Sequence, residues 1–170
     1  LEEPLGNTFF ILIHNNKRIL STLKSRCLNF KLNLTNKRSI DISSKILNEN
    51  IFDLINQDLL DYYITPGKIY KLVAFARTAK INLKKINLTD FLNIIIDETY
   101  YKKDISINYM IYDFIELYLI KNISPKYYNL LDIFKRKIDD VKRFNLDQES
   151  FFLEFSLSNF VGSFNKLISG

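Results

Sequence analysis

At 170 residues the chain holds one ordinary domain or two small ones, and with 47% hydrophobic residues it has ample material for a core, with nothing in its composition arguing for disorder. A single cysteine, Cys27, and a single histidine, His14, exclude an internal disulfide and a His/Cys metal cluster, and point to a reducing, cytoplasmic setting. The net charge of +5 is uneven: residues 1–85 carry 14 Lys or Arg against 7 Asp or Glu, and residues 86–170 carry 10 against 12. A basic first half suits an anionic partner, although abundant Ile, Asn, Lys, Tyr and Phe is also what AT-rich codons produce.

The hydrophobic run 9–13 predicts a strand and is far too short to cross a bilayer. A polar turn at His14, Asn15 and Asn16 follows, then a short helix over 17–24 that delivers Ser25-Arg26-Cys27 to a second strand, where residues 28–34 alternate with period two. Cys27 reads as a small buried hydrophobe. Thr35-Asn36 offers caps for a helix over 37–47, broken at Asn48. Ile51, Leu54, Ile55 and Leu59 fall at helical spacing as far as about Tyr63. Thr65-Pro66-Gly67 then caps and opens a third helix over 66–80, with Ile69, Leu72, Val73 and Ala76 on one face.

Residues 81–87 predict a linker. Beyond it, Asn87 or Thr89 caps a helix carrying Phe91, Leu92, Ile95 and Ile96, and Asp104 starts a helix over 105–120 that is apolar nearly all round and so predicts burial on more than one side. Ser124-Pro125 breaks the chain before a stripe from Tyr127 to Val141. A last helix from about Asp147 carries Phe151, Phe152, Phe155, Leu157 and Phe160. No strand is predicted after residue 34. Asp97-Glu98 and Asp139-Asp140 are adjacent pairs, which on a helix diverge by about 100° and do not converge on one substrate.

Three patches resemble one family. The opening run, LEEPLGNTFFILIHNNKRILSTLKSRC, resembles the sensor-1 strand, following helix and SRC motif of clamp-loader AAA+ subunits. Ile64-Thr65-Pro66-Gly67-Lys68 is similar to the start of the last lid helix, and Arg143-Phe144-Asn145-Leu146-Asp147 to the opening of the final collar helix, in subunits of the delta-prime type from bacterial DNA polymerase III. The resemblance implies a mainly α protein with a small α/β start. Residues 1–34 would be the end of a RecA-like AAA+ ATPase domain, 35–85 a three-helix lid, and 86–170 a helical collar that assembles subunits. It also implies a chain that starts in mid-domain, with any phosphate-binding loop or zinc-binding cysteine cluster upstream of Leu1.

The same resemblance assigns roles. Arg26 matches an arginine finger acting in trans on ATP held by a neighbouring subunit, an interaction worth about a thousandfold or more in phosphoryl transfer. His14 falls at or beside sensor 1, and Lys17, Arg18 and Lys24 become DNA-contact candidates. Active subunits carry a sensor-2 arginine in the lid helix; here that position is Gly67. The implied function is a non-hydrolysing stator that helps load a sliding clamp on primer-template DNA alongside delta and gamma/tau subunits. These residues would bind no nucleotide themselves, zinc would be a matter for the upstream region, and no membrane association is expected. The alternatives are a gamma/tau-type ATPase subunit and a helical scaffold without a nucleotide role.

Overall fold

Side chains set most of the described helix starts by accepting from backbone N–H groups that a terminus leaves without a partner. The computed structural model describes residues 8–13, 19–30, 32, 34–122, 128–144 and 147–155. The chain divides into two units, Leu1–Asn33 and Leu34–Gly170.

In the first unit the described residues form one short helix, α1 (Ser21–Ser25), and no strand. The strands expected over 9–13 and 28–34 are therefore corrected. A strand persists through pairing with neighbours, and this unit offers no partner among its described residues. Their apolar side chains stand in the open: Phe9, Ile11, Ile13, Leu28, Phe30 and Leu32 are all exposed. Cys27 is exposed as well, against the expectation of burial, because no core forms around it.

Every secondary-structure element described in the second unit is helical. In α2 (Asn36–Leu47) the Thr35 hydroxyl accepts from the Arg38 N–H at 3.3 Å, and Asn48 ends the helix in the left-handed region at φ 53°, its N–H donating to the Ser44 carbonyl. The helix expected from 51 to 63 is split into α3 (Ile51–Leu54) and a 3-10 turn, Gln57–Leu59. Ile55 is extended between them, and the Asn56 N–H donates instead to the Leu83 carbonyl at 2.9 Å. A tertiary hydrogen bond here outcompetes the helical periodicity.

In α4 (Pro66–Ala79) Thr65 accepts from the Lys68 N–H and Pro66 occupies the first turn, as the sequence predicts. Lys80 closes the helix at φ 57°, with the Ile81 N–H reaching back to the Ala76 carbonyl at 2.8 Å. Asn87 caps α5 (Leu88–Asp97) by accepting from the Asp90 N–H at 2.8 Å. A short α6 (Tyr100–Lys103), not foreseen from the sequence, precedes α7 (Ile105–Asn122), and Asp104 caps α7 by accepting from the Ser106 and Ile107 N–H groups. Two further helices follow, α8 (Tyr128–Phe144) and α9 (Gln148–Phe155). The Ser124-Pro125 break and the stretch beyond Phe155 lie outside the described residues.

The all-round apolar α7 is the centre. Phe114, Ile115 and Leu119 are fully buried, and the helix packs against α4, α5, α6 and α8. Phe114 meets Phe91 edge-on at 4.9 Å and Tyr62 at 5.5 Å between ring centroids. The core runs from Ile40 to Phe155 without interruption at residue 85. Opposite α4, α2 buries Ser39 and Ser43, small residues that admit close approach. The Ser39 hydroxyl donates to the Ile64 carbonyl and that of Ser43 to the Ser39 carbonyl at 2.8 Å, so neither is left unsatisfied.

Candidate functional site

In the first unit the SRC triplet sits where α1 ends. Leu23 and Lys24 both donate their N–H groups to the Leu20 carbonyl at 3.0 Å, which tightens the turn. Arg26 is its C-cap, with φ −99° and ψ 0° and its N–H donating to the Leu23 carbonyl at 3.1 Å. The Ser25 hydroxyl donates to the Thr22 carbonyl at 3.0 Å, so this serine is spent on the helix end rather than on chemistry. Arg26 emerges exposed from a backbone whose course is tied down on both sides.

A residue the sequence reading treats as a strand position completes the turn. The Asn29 side-chain amide donates to the Lys24 carbonyl at 3.2 Å and to the Cys27 carbonyl at 3.1 Å, bracketing Arg26. Asparagine close after a helix end is a turn signal in its own right, and that signal would have found it. Lys24 is exposed in the last turn of α1, adjoining Arg26. His14, Lys17 and Arg18 lie outside the described residues.

In the second unit, Gly67 occupies the second position of α4, exposed, and a Cβ built on it meets nothing within 4 Å. Packing therefore does not demand glycine there. Its neighbour Lys68 donates Nζ to Asp113 Oδ2 of α7, in a half-exposed ion pair. The cation beside Gly67 is thus engaged within its own unit. Close by, the largely buried Tyr62 hydroxyl has no hydrogen-bond partner among the described residues; burial pushes its pKa up, and the Asp113 charge pushes it further.

Two more polar clusters hold elements together. Asp58 Oδ2 accepts from the Leu88 N–H at 2.7 Å and its Oδ1 from Lys121 Nζ, while Lys121 also donates to Asp61 at 2.7 Å. Partial burial pushes the Asp58 carboxyl up, but the hydrogen bonds from Lys121 and the Leu88 N–H outweigh it and leave the pKa below the ordinary value. On α9, Glu149 pairs with Lys102 of α6 at 2.8 Å.

Among the described residues no three His, Cys, Asp or Glu side chains gather as a metal site, and no helix is long and apolar enough to cross a membrane. Asp97, Glu98, Asp139 and Asp140 are all exposed. A shallow depression of about 380 Å³ opens between the ends of α3 and α4, with Val73, Ala76 and Leu83 below and Arg77 and Lys80 at its edge. No family model, curated protein or solved structure matches the chain.

Proposed function

We infer that the chain is a non-hydrolysing, stator-type subunit of a clamp loader that places a sliding clamp on primed DNA, with Arg26 acting in trans on ATP held by a neighbouring subunit. The observation that carries this reading is the exposed Arg26 at the end of α1, on a turn that Asn29 clasps from both sides. A finger must project from a fixed backbone, because electrostatic stabilisation of a transferring phosphoryl group depends on placement. Gly67 and the engagement of Lys68 with Asp113 support the non-hydrolysing part: the lid helix offers no free cation in its first turn to a nucleotide of its own. The partners are the delta and gamma/tau subunits, the sliding clamp and primer-template DNA, met through an AAA+ remnant, a lid and a collar over 1–34, 35–85 and 86–170.

Reconstitution with the ATPase subunits tests this. Arg26→Ala lowers DNA-stimulated ATP turnover by about a thousandfold at the site it serves, while the complex stays assembled on size-exclusion chromatography. Unchanged turnover in an intact complex would leave the chain as a helical scaffold without a nucleotide role.

A further inference from the structure

The outer face of α4 and the turn after it carry many more cations than carboxylates. Between Asp61 and Asp90 the sequence carries six cations, Lys68, Lys71, Arg77, Lys80, Lys84 and Lys85, and no acid. A compositional bias toward lysine scatters cations along a chain; it does not clear the carboxylates from one stretch of it. Lys68 is turned aside onto Asp113, but the other five are exposed. Arg77 is shared with Glu49, and Lys84 donates to the neutral Phe52 carbonyl. Among the described residues, Lys71, Lys80, Lys84 and Lys85 pair with no carboxylate. Glu49 and Asp53 border the surface, two carboxylates against five cations.

What else lies on this face decides the class of partner. The exposed side of α4 is made of Gly67, Tyr70, Lys71, Ala74, Arg77 and Thr78. Apart from Tyr70 it holds no large apolar side chain, whereas a protein partner needs a desolvated aromatic or aliphatic centre to anchor on. Phosphates need only charge and donors. Small residues between the cations let a phosphate backbone come close, and the half-exposed Tyr70 ring gives a base a face to stack on. We propose that the outer face of α4 and the turn over 80–85 bind the phosphate backbone of nucleic acid without reading its sequence. This surface belongs to a different unit from Arg26, and the proposal does not rest on the finger.

The test is fluorescence anisotropy of the full chain with labelled single-stranded and duplex oligonucleotides, titrated at several salt concentrations. Lys80→Gln/Lys84→Gln/Lys85→Gln weakens binding by about tenfold or more and lowers the slope of log K against log salt by about 2 for single strands and about 3 for duplex. Lys135→Gln/Arg136→Gln/Arg143→Gln on α8 removes the same charge and has a much smaller effect on both. Because Lys84 also holds the Phe52 carbonyl, Lys71→Gln/Lys80→Gln/Lys85→Gln serves if the first variant unfolds, and the same losses are expected. Equal weakening by the α8 variant, wild-type binding to neither oligonucleotide, or tighter binding of labelled polyglutamate than of either would overturn the proposal.

Discussion

Asp58 and Lys121 show how a single residue fastens several elements. One carboxylate oxygen holds the first N–H of α5 and the other meets the end of α7, while Lys121 spans Asp58 and Asp61. Lys121→Met leaves two carboxylates facing each other and lowers stability by about 1 kcal/mol at neutral pH. The pH dependence follows from the directions of the shifts. Asp58 lies below its ordinary 3.8 when folded, so its contribution is present above that value and is lost as pH falls through the folded one. Burial pulls the Lys121 pKa down, but Asp58 and Asp61 raise it above the ordinary 10.5, so its contribution is present below 10.5 and is lost at higher pH. Burial also pushes the Tyr112 hydroxyl up to about 12, which removes further stability as pH rises above the ordinary tyrosine value of 10. Urea unfolding across pH therefore gives a plateau that falls at both ends, and the gap between wild type and Lys121→Met closes on the acid side as pH falls through the lowered pKa of Asp58.

At the scale of elements, α4 illustrates what a sequence makes legible. Its cap, its proline and its buried stripe are all local, and the structure places its end within a residue of the expected one. The starts of α2, α5 and α7 are local in the same way, set by side chains within a few positions of the boundary, although α7 runs two residues past the expected 120. The stretch over 51–63 was not legible, because the Leu83 carbonyl that captures the Asn56 N–H is remote in sequence. The strands of the first unit were not legible either: alternation describes a face, while a strand also needs a neighbour. Of the candidate site, the exposure of Arg26 follows from its place at a helix end, but its clasp by Asn29 hid under a strand assignment. Gly67 gives a direct test at this scale. Since a Cβ there meets nothing and the backbone is helical, Gly67→Ala raises the thermal midpoint, corresponding to about 0.5 kcal/mol, through lost freedom of the unfolded chain. A drop in the midpoint would mean that the first turn of α4 needs glycine for a reason its packing does not reveal.

For the second unit as a whole, one core carries the consequence. Phe114 touches the segment leading into α4 through Tyr62 and α5 through Phe91, so its loss is felt on both sides of residue 85. Phe114→Ala costs about 3–5 kcal/mol, and tyrosine fluorescence and helical circular dichroism report one shared, lowered transition in denaturant. Separate transitions for the two halves would mean that the shared core does not couple them.

The buried serines of α2 carry a different kind of information. An apolar contact between two helices is forgiving, because a slide of a turn exchanges one methyl group for another. A hydroxyl that must find one carbonyl is not. With Ser39 reaching the Ile64 carbonyl just ahead of the α4 cap, α2 has a single axial setting against α4, as a pin does in a sliding bolt. The exposed cations along α4 inherit that setting relative to those of α2, so a hydrogen bond within the unit helps to fix the spacing of charge on its outside.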